Sequence, residues 1–123
     1  MKFPNIGDIA TTSVVSIDIK STFNETMNKM FENEHRNIIV IDTKDFYIMS
    51  IIDILHVQAK KIDINTPLSD LQLSKIPTIN KNKNILDTLE YLNNSIEYIC
   101  VINEDNTLYG LVTHTDITSN IDP

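Results

Sequence analysis

The chain repeats itself. Ile6-Gly7-Asp8-Ile9 recurs as Leu68-Ser69-Asp70-Leu71, and Val14-Val15-Ser16-Ile17 as Ile76-Pro77-Thr78-Ile79. Thr22-Phe23-Asn24-Glu25-Thr26-Met27 recurs as Asn84-Ile85-Leu86-Asp87-Thr88-Leu89, and Ile38-Ile39-Val40-Ile41-Asp42 as Ile99-Cys100-Val101-Ile102-Asn103. Ser50-Ile51-Ile52-Asp53-Ile54 recurs as Thr113-His114-Thr115-Asp116-Ile117, so order and spacing are kept throughout. Self-similarity at a near-constant offset means two copies of one supersecondary unit, residues 1–61 and residues 62–123. A half of roughly 60 residues buries too little surface to stand well alone, so the copies are expected to pack as one pseudo-two-fold module.

Each copy reads as strand, helix, strand, strand, helix, a βαββα unit, which places the chain in the α/β (α+β) class. Thr22 with Glu25 is a capping box that starts the first helix, and Asn84 with Asp87 is a looser version. Phe23, Met27, Met30 and Phe31 recur at helical spacing, as do Leu86, Leu89 and Leu92, and both stripes are expected in the core. Ile38 to Ile41 and Ile99 to Ile102 are short β-branched runs of buried-strand type. Asp42-Thr43-Lys44-Asp45 and Asn103-Glu104-Asp105-Asn106 supply turn chemistry. Tyr47 to Ile51 and Leu108 to Val112 are the strands that follow, and Thr113 or Thr115 caps the closing helix.

Composition narrows the function classes. The net charge of −7 opposes nucleic-acid or anionic-membrane binding, which needs basic surface. No apolar run approaches the roughly 18–20 residues of a membrane helix, and Met1-Lys2-Phe3-Pro4 leads into polar residues rather than a signal sequence. The single cysteine, Cys100, lies in an apolar run and has no internal disulfide partner, which fits a reducing cytoplasm. With two glycines in all, the chain has neither a GxxxxGK[ST] nor a GxGxxG phosphate loop. His35, His56 and His114 are scattered, no HExxH or GxSxG occurs, and the turn carboxylates do not match an EF-hand loop. No catalytic residue and no metal ligand is expected, and the chain is not expected to be an enzyme.

Leu108-Tyr109-Gly110-Leu111-Val112-Thr113-His114-Thr115-Asp116-Ile117, with Ile76-Pro77-Thr78-Ile79 upstream, resembles the cystathionine-β-synthase-type (CBS) domain. The resemblance covers nearly the whole chain, about Ile6 to Ile121, as a tandem pair or Bateman module. The first copy departs from the pattern: Tyr47 stands at the family's glycine position, where close backbone approach is permitted, and Ser50 replaces the threonine.

The resemblance implies a regulatory module of a bacterial-type signalling protein, commonly a homodimer, with clefts that bind AMP, ADP, ATP, adenosine or S-adenosylmethionine. No cofactor is required. Binding would control an attached or partner output domain. By family position, Asp116 binds the ribose hydroxyls and Thr113 meets a ribose or phosphate oxygen, while Asp53 and Ser50 take these roles in the first site. A carboxylate suits a cis-diol because it accepts two hydrogen bonds. The adenine slot falls to Ile76, Thr78, Tyr98 and Ile99 in site two, and to Val14, Ser16, Asn37 and Ile38 in site one. Arg36 offers positive charge for phosphate, its counterpart Glu97 repels it, and His114 can add charge near neutral pH.

Two expectations compete with a ligand role. Thr113 and Asp116, like Ser50 and Asp53, suit helix capping alone. The module can also serve as a ligand-free dimerisation or docking element, with an apolar patch around Ile54, Leu55, Val57, Ile117 and Ile121. The abrupt Asn120-Ile121-Asp122-Pro123 end suggests a segment of a longer protein.

Overall fold

The structure is a computed structural model that describes residues 3–92 and 97–120, with only the backbone described at 90 and 92. Its elements are mixed α and β, in two separate sheets. The chain divides into two compact units, one of residues 14–75 and one that joins the N-terminal segment through Ser13 to the chain from Ile76 onward.

In the first unit, β1 (Ser16–Asp18) runs parallel to β2 (Asn37–Asp42), which is antiparallel to β3 (Asp45–Ser50). β4 (Ser74–Ile76) completes the order β1-β2-β3-β4. Between β1 and β2 lies α2 (Phe23–Glu32), started by Thr22 and Glu25 in the expected capping box. α3 (Ile51–Ala59) follows β3 directly. Phe23, Met30, Ile38, Val40, Met49, Ile54 and Leu68 form the core. Phe31 was expected there but is exposed, because it lies one position round the helix from Met30, which faces inward.

The second unit repeats the plan. β5 (Thr78–Asn80) is parallel to β6 (Tyr98–Ile102), which is antiparallel to β7 (Leu108–Thr113). α5 (His114–Ser119) follows β7. The helix after β5 opens as a 3-10 turn, Ile85–Thr88, before α4 (Leu89–Leu92). That turn corrects the expected leucine stripe. Three residues per turn carry Ile85 and Thr88 inward together and leave Leu86 and Leu89 exposed, while the side chain of Leu92 lies outside the described residues. Ile6, Ile79, Ile85, Ile99, Val101, Val112 and Ile117 make this core.

Each unit is completed by a segment distant in sequence. In the first, Phe23 N–H donates to the Thr66 carbonyl (2.9 Å), and Leu68 and Ser69 donate to Ser21 (2.8 Å) and Ile19 (3.1 Å). In the second, where α1 (Ile6–Ile9) lies, Ile85 donates to Pro4 (3.0 Å), and Ile6 and Gly7 donate to Lys83 and Lys81 (both 2.8 Å). The lead-in to one repeat therefore packs on the body of the other, with matched hydrogen bonds. Gly110 is part of this: a Cβ there would stand 2.5 Å from the Thr11 carbonyl oxygen. The backbone that the glycine admits is the chain's own.

Candidate functional site

Strand register brings the hydroxyl–carboxylate pairs to equivalent sheet ends. Ser50 ends β3 opposite Asn37, the first residue of β2. Thr113 ends β7 opposite Tyr98, the first residue of β6. Ser16 and Thr78 open β1 and β5 and pair with Ile39 and Cys100. The start of the first strand, the start of the second, the end of the third and the first turn of the closing helix thus meet at one end of each repeat.

The carboxylates are held alike. Ser50 N–H and Oγ–H donate to Asp53 Oδ2 at 2.7 and 3.0 Å, and Asp53 N–H donates to Ser50 Oγ at 3.3 Å. Thr113 N–H and Oγ1–H donate to Asp116 Oδ2 at 2.9 and 3.1 Å, and Asp116 N–H donates to Thr113 Oγ1 at 3.2 Å. Both pairs are capping boxes, so capping is a demonstrated role of these four residues. Thr113, not Thr115, caps α5.

In the second unit, Glu97, Tyr98, Thr113, His114 and Thr115 line an open depression of about 390 Å³. Ile76, Thr78 and Ile99 do not line it. Ile99 is buried in the core opposite Val112, with its side chain turned inward. Ile76 is buried at the end of β4, and Thr78 accepts a hydrogen bond from Tyr91 through its carbonyl.

In the first unit, Asp53 lines a smaller cavity of about 160 Å³ with His56, Lys60, Gln72 and Ser74. Ser16, Arg36, Asn37, Ile38 and Ser50 are not in its wall. Ile38 is likewise in the core, opposite Met49. Arg36 is exposed, and its carbonyl accepts the first N–H of α3, from Ile51, at 3.1 Å. His56 and Lys60 follow Asp53 by three and seven residues, a helical spacing visible in the sequence. The segment from Leu71 to Ser74 reaches the cavity only through the tertiary fold.

The expected apolar patch is also redrawn. Ile54 and Ile117 are core residues, Val57 packs against the first core, and Ile121 lies outside the described residues. The exposed apolar face of α3 is Ile51, Ile52 and Leu55. Cys100 is buried and its thiol is pushed up to about 12 by desolvation, which disables it as a nucleophile. Among the described residues no cluster of three or more His, Cys, Asp or Glu could hold a metal ion, and no helix is long and apolar enough to cross a membrane.

Residues 62–122 match the family model of the CBS domain. The chain belongs to the CBS-domain family. An uncharacterized protein of Methanocaldococcus jannaschii is 29% identical over 118 residues, covering 93% of this chain and 39% of that relative. The chain therefore spans about two fifths of that protein's length. A CBS-domain protein of Pyrobaculum aerophilum, solved as a complex with AMP, superposes with a TM-score of 0.70 at 17% identity, covering 92% of this chain and 89% of its own. The cytosolic domain of the Mg2+ channel MgtE, solved in complex with ATP, superposes with a TM-score of 0.75 at 16% identity, covering 97% of this chain and 50% of its own. At these identities the structural likeness establishes the CBS fold over both repeats, while the family model covers the second.

Proposed function

We propose that this CBS pair is a regulatory sensor of an adenine nucleotide or related adenosyl compound, acting on an attached or partner output domain. The observation that carries this is the matched placement of Ser50 with Asp53 and Thr113 with Asp116 at strand ends. Capping engages Oδ2 of each carboxylate, and a carboxylate has about four lone-pair directions, so each retains capacity for a ribose diol. The depression beside Thr113 is within the roughly 300–1,000 Å³ of small-molecule sites. AMP and ATP complexes of proteins with the same fold support an adenine ligand. In this proposal the chain regulates rather than catalyses, and works in the cytoplasm.

Thermal-shift titration with adenosine, AMP, ADP, ATP, S-adenosylmethionine and a guanine control tests it. A ligand at 100 times its dissociation constant stabilises by about 2.7 kcal/mol, several degrees in a domain this size. The shift should appear with an adenine compound and fade in Asp53→Asn or Asp116→Asn. A folded sample that responds to none of these compounds rules the adenine proposal out.

A second proposal, a ligand-free homodimerisation or docking element, is favoured by one observation: Ile52 and Leu55 on α3 are 60% and 54% exposed. Sedimentation of wild type against an Ile52→Asp, Leu55→Asp double variant tests it. A dimer that dissociates in the variant supports this role, and a wild-type monomer excludes homodimerisation.

A further inference from the structure

The cavity of the first repeat gathers polar groups that the fold itself does not use. Asp53, His56, Val57 and Lys60 follow one another at helical spacing and form one wall, on α3 and its C-cap. Residues 71–74 form the facing wall, and Ile48 and Met49 of β3 add apolar surface. All of these residues belong to the first compact unit. The Ser50 cap uses Oδ2 of Asp53 and leaves Oδ1 out. Among the described residues, no hydrogen bond or ion pair engages the side chains of His56, Lys60, Gln72 or Ser74. Lys75, the next residue, turns instead to Asp45 at 3.4 Å.

The charges are ordered along this wall. With a rise of about 1.5 Å per residue, His56 follows Asp53 by about 4.5 Å along the axis and Lys60 by about 10 Å. These places suit the helix dipole, which accounts for the residues on the helix but not for a cavity beside them. The cavity holds about 160 Å³. That is close to the roughly 150 Å³ apolar cavity that accepts benzene, and well below the roughly 300 Å³ at which drug-sized ligands begin. A nucleoside is therefore too large. A hydrocarbon would leave the polar rim unused, a simple anion would meet Asp53, and a simple cation would meet Lys60. A metal ion lacks ligands, since no cluster of three or more His, Cys, Asp or Glu occurs among the described residues. A zwitterion with a short apolar chain meets every surface. Its ammonium suits Asp53 Oδ1, its carboxylate suits His56 and Lys60, and its chain suits Met49, Val57, Leu71 and Leu73.

We infer that this cavity binds an aliphatic α-amino acid of about the size of valine or leucine, with Asp53 at its ammonium and Lys60 and His56 at its carboxylate. It shares Asp53 with the ribose site proposed above but does not rest on that reading. Where both hold, the two ligands compete for Asp53. The amino acid then antagonises nucleotide binding in the first repeat and leaves the second repeat untouched.

Amide-resolved NMR titration of the full chain tests it with L-leucine, glycine, isoamylamine and isocaproate as separate probes. Leucine should move the amides of Asp53, His56, Leu73 and Ser74 and leave those of Tyr98 and Thr113 in place. Glycine lacks the apolar chain, the amine lacks the carboxylate and the acid lacks the ammonium. Each should bind about tenfold or more weakly than leucine, the size of one buried side chain or one charge-assisted hydrogen bond. Lys60→Met and Asp53→Asn should weaken leucine by a similar factor. Asn at 53 keeps an acceptor for the cap, and the same spectra report whether each variant is folded. The inference is overturned if leucine moves none of these amides, if any of the three fragments binds as well as leucine, or if neither variant weakens it. Adenosine reads the adenine proposal separately: if it is silent while leucine behaves as stated, the adenine proposal fails and the amino-acid site stands. Binding of both at the first repeat without competition overturns the placement of the ammonium on Asp53.

Discussion

Gly110 leaves room for the carbonyl of Thr11: a side chain at 110 would place its Cβ 2.5 Å from that oxygen. Thr11 and Leu111 exchange two backbone hydrogen bonds of 2.9 Å, so the N-terminal segment is stitched to β7 beside this glycine. The obstacle to a side chain is backbone and cannot rotate away. Gly110→Ala should therefore destabilise by about 1–3 kcal/mol, the cost of overpacking, and should speed hydrogen exchange at Thr11 and Leu111. Denaturant titration with exchange mass spectrometry checks both, and unchanged exchange at Thr11 would remove this explanation.

The capping boxes predict a ligand-independent effect. Ser50→Ala and Thr113→Ala should each cost about 1 kcal/mol without any nucleotide, because each removes the acceptor for an orphan helix N–H. Any loss of ligand-induced stabilisation must then be measured relative to the variant's own midpoint. Equal stability of variant and wild type would mean that these caps contribute nothing.

The crossed lead-in segments predict how the chain can be cut. Residues 14–75 hold the whole first core, including Leu68, and should unfold cooperatively as an isolated fragment. Residues 1–61 lack Leu68 and the carbonyls of Ile64 and Thr66 that receive the Asn24 and Phe23 N–H groups, so they should be largely unfolded. Circular dichroism melts of the two fragments decide the matter, and a cooperative melt of 1–61 comparable to that of 14–75 would refute it.

Cys100 predicts an alkaline limit. Its folded pKa is raised from 9.0 to about 12 by burial, so the folded state keeps its proton where the unfolded chain releases it. The contribution is fully present below pH 9 and is lost as pH rises from about 9 toward 12, by about 1.4 kcal/mol per unit. Native protein at pH 8 should resist iodoacetamide that labels the unfolded chain completely. Cys100→Ala should show a shallower alkaline decline, and an identical decline would exclude this thiol as its cause.

Much of the site was legible because it is built from short-range chemistry. A hydroxyl three residues before a carboxylate caps a helix wherever it occurs, and β-branched runs beside turn residues make strands. The two repeats, the four capping boxes and the strands, expected to end at Ile51 and Val112 and found to end one residue away at Ser50 and Thr113, follow from residues only a few positions apart. The helix faces were less legible: the 3-10 start at Ile85 turned Leu86 and Leu89 outward, and Ile54 and Ile117 went inward where a patch was expected.

Only the tertiary structure decided which distant segments meet. It placed residues 3–13 on the second repeat and residues 62–75 on the first, set Thr11 against Gly110, brought Gln72 and Ser74 beside Asp53, and laid Lys29 on Ser16 and Tyr91 on Thr78. Such contacts depend on loop closure and on burial shared by a whole core, and no local pattern of residues carries that information.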